Sequence, residues 1–434
     1  MVLLMSFVNI KAGVSLFLVY MICVPVVMIS IGGKVWGANV INTVFLLAFA
    51  IYAYQKHIKI DWSPILPFIA YFMMMLIAMP FQNGMPIANM FDMWRREAML
   101  YLFLPFVMWN VMKADITAVK MFQRALIVGI VIAVAYGLFL TTQDGVNPYQ
   151  MLLLLVTGDN GEIDWASYYG AFGSGRLFGR ISSVFQHPMQ FALFLGFAMI
   201  YIFAIRKNFS KKFFLIMMTS ISVMVLVCGV RSVIGALAIA LVYYCVMGKS
   251  VKIVASIILF CVVMGIIVTQ IPALSSYVGS IVDINNTSGA VSGGSSIDMR
   301  MNQLGGAVEE IKENAFWGLG YGWTNYYQSL YGNHPICYAF ESLIFVIICN
   351  SGIYGFIVWI MLGLLVARNN SKIKNHEKVL VDDLFIYYVA YSCITGEYGY
   401  MKMFIIFYVM MLGSMLKEQQ EELEDEPGKD VENK

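Results

Sequence analysis

Residues 300–341, RMNQLGGAVEEIKENAFWGLGYGWTNYYQSLYGNHPICYAFE, stand inside a chain dominated by apolar runs long enough to cross a bilayer. Leu304, Ala307, Val308 and Ile311 recur at helical spacing while Glu309, Glu310 and Lys312 face elsewhere. That pattern predicts an amphipathic helix at a membrane surface. Gly318, Gly320 and Gly322 end the helix, and Tyr321, Trp323, Tyr326 and Tyr327 are the aromatic residues that favour a membrane–water boundary. His334 follows, and Glu341 opens the next apolar run. A cation, a glycine-rich turn and an imidazole at such a surface suggest a site.

The rest of the chain sets the class. Of 434 residues 60% are hydrophobic and 12% charged, with mean hydropathy +0.75. This composition belongs to a polytopic membrane protein. A net charge of +2 gives no argument for nucleic acid as a partner. Cys23, Cys228, Cys245, Cys261, Cys337, Cys349 and Cys393 are scattered through apolar runs with no metal-type spacing, as buried small residues would be. The first apolar run lacks a small-residue cleavage site and reads as a retained span.

The expected fold is all-α, one membrane domain over 1–434 with about twelve transmembrane helices. They fall near 13–32, 37–54, 63–81, 94–112, 120–140, 188–205, 213–230, 232–248, 253–271, 341–366, 384–397 and 400–416. Loops rich in lysine (Lys56 and Lys59, Lys113 and Lys120, Lys207 to Lys212, Lys249 and Lys252, Lys372 to Lys378) share a face with both termini. By the positive-inside rule that face is cytoplasmic. Two long extracytoplasmic loops result, 141–187 and 272–340, the second carrying the amphipathic helix. Its NNTSGAVSGGSS stretch reads as a flexible linker, and the acidic tail 417–434 as a disordered cytoplasmic segment.

On this topology 16 of 19 lysines lie inside, whereas six of nine arginines (Arg95, Arg96, Arg176, Arg180, Arg231 and Arg300) lie outside. Topology selects against cations there, so these arginines need another reason. A planar guanidinium binds phosphate oxygens bidentately, and a cluster could hold a diphosphate without metal. The plainer alternative pairs them with Asp92, Glu97, Asp159, Glu162, Asp164, Asp298 or lipid headgroups. Arg231 lies at the tip of an apolar hairpin, where a permanent charge needs an anionic partner or water. His57 and His376 fall in lysine-rich loops. His187 precedes Pro188 at the start of a span, as a helix cap would. His334 could accept a proton from a sugar hydroxyl, or make a structural hydrogen bond.

These residues carry a resemblance. GVRSVIGALAIAL resembles the short turn between spans in the O-antigen ligase and polymerase-like family of membrane glycosyltransferases. GRISSVFQHPMQFALFLGF resembles that family's entry to an earlier span. GLGYGW, His334, Glu341 and LIFVIICNSGIYGFIVW are similar to its large outer loop and following span. The match covers about 176–366. It implies metal-independent, inverting glycosyl transfer on the outer face of a bacterial inner membrane, with no cofactor. The donor would be an undecaprenyl diphosphate-linked oligosaccharide, the other partners membrane lipids, and a chain-length regulator protein is a candidate. By matching position, Arg231 and Arg300 would hold the diphosphate, helped by Arg180 and Arg176, and His334 would activate the acceptor. Glu341 would orient His334 or bind sugar, with His187 and Tyr321 on the acceptor side. A polysaccharide polymerase is expected ahead of an O-antigen ligase. A flippase or other transporter stays open, though the spans read as almost free of charge.

Overall fold

The computed structural model describes residues 2–24, 28–30, 34–143, 147–150, 152, 181–248, 297–373, 378–397 and 399–425. The assembly is helical. In order come α1 (Val2–Val8), α2 (Ile10–Cys23), α3 (Gly37–Gln55), α4 (Leu66–Ala78), α5 (Ile87–Ala114), α6 (Thr117–Leu140) and α7 (Pro188–Ala204). Then follow α8 (Lys211–Val227), α9 (Arg231–Gly248), α10 (Ile297–Glu310), α11 (Trp323–Tyr331), α12 (Leu343–Asn370), α13 (Lys378–Thr395) and α14 (Met401–Asp425). A short ribbon, β1 (Met28–Ser30) and β2 (Lys34–Trp36), pairs antiparallel with Ile29 opposite Val35.

Among the described residues, α6, α9 and α12 are long and apolar enough to cross a membrane, and α2, α4 and α7 are shorter apolar helices. The outside of the bundle matches: Leu215, Val246 and Leu364 are 66%, 67% and 64% exposed. Apolar side chains facing outward from packed helices call for hydrocarbon around them. The chain is an all-α membrane protein. Its centre is aromatic, with Phe197 and Tyr201 of α7, Tyr387 and Tyr388 of α13 and Phe407 of α14 all buried. Gly196 permits that packing, since a Cβ there would lie 2.1 Å from the Tyr387 ring.

The two ends of the bundle differ in chemistry. One carries simple ion pairs, Lys11 with Asp115 (2.6 Å) and Lys113 with Asp61 (2.5 Å). Burial works to raise the Asp61 pKa, but hydrogen bonds from Lys113 and Ser63 outweigh it and hold the carboxyl at about 2. At the other end the chain segments 79–86, 311–322 and 332–342 interlock.

Several expectations shift. α2 stops at Cys23, because the following residues include the β ribbon, rather than running to 32. α5 starts at Ile87 and takes Arg95, Arg96 and Glu97 into its body. α14 continues to Asp425, so the first part of the tail expected to be disordered is helical, as its run of Glu, Gln and Lys permits. The hairpin tip stands: α8 ends at Val227, Gly229 turns at φ 72°, and Arg231 opens α9. The span expected at 253–271, most of the loop 141–187, residues 272–296 and the tail from 426 lie outside the described residues.

Candidate functional site

Residues 300–341 fold as a helix, a threaded loop, a second helix and a returning segment. α10 forms as its periodicity requires, but rotated from the expected face. Gln303 and Ala307 are fully buried and Ile311 nearly so, whereas Val308 is half exposed. The buried face meets the returning segment 334–341, which runs antiparallel beside α10. Three ties pin it: His334 to Glu310 (3.0 Å), the Cys337 thiol to the Gln303 carbonyl (3.4 Å), and Arg300 to the Glu341 carbonyl. Burial first, then the Glu310 charge, pushes the Cys337 thiol up to about 11, so it stays protonated.

The glycine-rich loop enters a break in α12. Gly352 adopts φ 56°, ψ −146° inside that helix, and a Cβ there would sit 2.3 Å from the Ala315 carbonyl oxygen. Such a backbone suits glycine alone. The groups freed by the break pair with the loop. Ile353 N donates to Ala315 O (3.1 Å), Tyr354 N to Phe316 O (2.9 Å), and Leu319 N to Cys349 O (2.8 Å). The buried Gln82 amide ties both to the α4–α5 turn, donating to Trp317 O (2.8 Å) and Asn350 O (3.0 Å). Its oxygen accepts from Tyr321 N (3.2 Å).

This clamp aims Tyr321 inward, where its hydroxyl donates to Glu97 of α5. Burial and the Glu97 charge raise the Tyr321 hydroxyl well above its usual value, so it remains a donor. Glu97, Tyr321, Glu397, Tyr71, Thr324 and Asn350 line a cavity of about 60 Å³. The two carboxylates differ. Glu397 accepts from Gly399 N (3.0 Å), Met401 N (2.8 Å) and the Tyr388 hydroxyl (3.3 Å), which makes it the cap of α14. Glu97 has Tyr321 as its hydrogen-bond partner among the described residues, and its remaining acceptor capacity faces the cavity.

Arg300 and the first turn of α9 meet the end of α13, which leads into Glu397 of the cavity. Arg300 donates to Ile394 O (3.2 Å) and lies 3.6 Å from the Glu341 carboxylate, the two side chains 28% and 36% exposed. Arg231 opens α9, and Gly235 one turn on faces Ile394. Arg300 therefore reaches the C-terminal end of α13 with Glu341 beside it, and the first turn of α9, which Arg231 opens, packs against that same end. Glu397 follows Ile394 by three residues and Leu343, a cavity residue, follows Glu341 by two.

His334 does not join them. Its Nδ1 accepts from the Ile336 and Cys337 amides (3.2 and 2.9 Å), so the neutral ring carries its hydrogen on Nε2 and donates it to Glu310. The ring is 3% exposed and packed between Tyr327 and Phe340. Ten residues of helix, about 15 Å of rise, separate Glu310 from Arg300. The expected single cradle of arginines beside a free imidazole is thus split, because the return segment engages the two ends of α10 separately. His187 caps α7, its Nδ1 accepting from Met189 N (3.2 Å). Arg95 and Arg96 both pair with Asp92 (2.7 and 3.0 Å). Arg176 and Arg180 lie outside the described residues; Ile181, which follows them, donates from its N to Cys228 O (3.4 Å), close to Arg231 in the chain.

The sequence reading missed Glu97 as a cavity residue. The signal for it is an acid at the point where the charged stretch of α5 (Asp92, Arg95, Arg96) gives way to the apolar run from Ala98, where a carboxylate is costly unless it works. No protein-family model and no curated protein matches the chain, so the resemblance rests on its motifs.

Proposed function

We propose that this protein is a membrane glycosyltransferase that polymerises polysaccharide at the extracytoplasmic face of a bacterial inner membrane. It crosses the membrane about twelve times, with both termini cytoplasmic. Arg300 on the last turn of α13, the first turn of α9 (which Arg231 opens) packed against that same turn, and the Glu97 cavity that α13 leads into at Glu397 together support this reading. The two guanidiniums hold the diphosphate of an undecaprenyl diphosphate-linked glycan and stabilise the charge that grows on it. An acceptor sugar hydroxyl of a second lipid-linked glycan gives its proton to Glu97 through water, since a cavity of about 60 Å³ holds a few waters and no sugar ring. The hydroxyl oxygen attacks the anomeric carbon from the side opposite the diphosphate, and the carbon–oxygen bond to phosphate breaks with its electron pair leaving on the diphosphate. The anomeric centre is inverted, and the step needs no metal. Tyr321 orients Glu97, and His334 fixes the return segment that carries Glu341 to Arg300.

The test is purified protein incubated with lipid-linked repeat units alone. Growing chains support a polymerase, reaction that needs lipid A-core supports a ligase, and neither reaction overturns the reading. One observation favours a transporter instead: Glu97 lies in an internal cavity, as coupling residues do. Movement of lipid-linked sugar between leaflets without chain growth would select it.

A further inference from the structure

On the far side of α5 from the cavity, α4 and α5 enclose a second hollow of about 250 Å³. Phe72 and Met73 of α4 and Ala98, Met99 and Leu102 of α5 line it, and Arg95 stands at its edge. Met73 is 48% exposed, so the hollow opens at the outer surface of the bundle. It is smaller than the roughly 300–1,000 Å³ of ordinary small-molecule sites. A length of hydrocarbon chain fits; a sugar does not suit so apolar a wall.

The charge at its edge selects among lipids. At the groove's own edge Arg95 and Arg96 share one carboxylate, Asp92, at 2.7 and 3.0 Å, while Glu97, whose charge also meets Arg96, points to the cavity on the other face of the helix. Arg95 folds back along the groove, its guanidinium 3.8 Å from the Met99 sulfur. Trp94, also on the wall, donates to Phe72 O (2.7 Å) and so locks α4 to α5 at this level. Tryptophan and arginine together mark the headgroup level of a membrane, with the apolar groove running below it.

We propose that this groove holds an anionic phospholipid, one acyl chain between α4 and α5 and the phosphate on Arg95. The site is separate from the cavity and does not depend on glycosyl transfer. Its lipid braces α5 two residues before Glu97, so lipid occupancy reaches the carboxylate on the opposite face of the same helix.

The test is native mass spectrometry and thermal unfolding of the full chain, with phosphatidylglycerol or phosphatidylcholine of identical oleoyl chains. Phosphatidylglycerol is expected to be retained at least fivefold better and to raise the melting temperature more. Arg95→Gln should erase the preference, and Ala98→Phe, which fills the groove, should lower retention of both lipids. Arg206→Gln, at the other end of the bundle, should change neither. Equal retention of the two lipids by the unaltered protein means an annular lipid only and overturns the proposal. So does an unchanged preference in Arg95→Gln, a surface variant that serves even where Ala98→Phe does not fold. Retention of a polyprenyl phosphate in place of phosphatidylglycerol overturns the assignment of a phospholipid.

Discussion

The two ends of α10 hold similar groups and differ in what those groups can reach. At the N-terminal end Arg300 and Glu341 are about one-third exposed, close to the turn of Arg231 and the cavity of Glu97. At the C-terminal end His334 is closed in by Tyr327 and Phe340, and both ring nitrogens are engaged. A titratable side chain serves chemistry when a lone pair or hydrogen points at open space. By that measure one end is the candidate site and the other is a fastening.

The sharpest way to break this contrast is Glu97→Gln, which should cut turnover about 1,000-fold while the KM for donor stays nearly unchanged. Glu97→Asp should recover part of the rate; similar turnover in Glu97→Gln and the parent would remove Glu97 from the reaction. Arg300→Ala comes next, with a loss of about 100-fold for one charge-assisted phosphate contact and normal protein in the membrane. Arg300→Lys should remain poor, since the bidentate fork is gone. At the other end of α10 the opposite outcome is expected. His334→Ala should lower the melting temperature by a few degrees and leave turnover per folded molecule within about threefold. A rate loss like that of Arg300→Ala, with unchanged melting, would return the base role to His334.

The smallest effect concerns Asp61. Its carboxyl titrates at about 2 in the folded chain, below an unfolded value of about 4, so folding holds the proton less tightly. Its ion pair with Lys113 therefore stabilises fully above about pH 4, and that contribution is lost as pH falls toward 2. Thermal unfolding between pH 6 and pH 3 should show a slightly steeper acid decline for the parent than for Asp61→Asn.

The membrane class, the hairpin at Arg231, the helix after Arg300 and the loop of Gly318 to Gly322 were legible because each is a local pattern. Periodicity, glycine and flanking charge act within a few residues. The face that α10 buries was not legible, because Gln303 goes inside only where the segment from His334 to Glu341 covers it. The break at Gly352 was hidden for a similar reason: an isolated glycine in an apolar run is common, and the partners that fix its backbone are at Ala315 and Phe316. Glu97 read as a surface partner for nearby arginines. Its place in the cavity is set by Tyr321, 224 residues later, turning inward to meet it.

The Gln82 staple has a consequence for biogenesis. Its amide is made long before its acceptors, which follow 235 and 268 residues later at Trp317 and Asn350. An early helical pair must therefore sit in the bilayer with this polar group hydrated or borrowed by a neighbour until the last third of the chain is synthesised. Closure of this end is a late event, and a nascent chain truncated before Asn350 should retain its first helices yet expose the α4–α5 turn to protease.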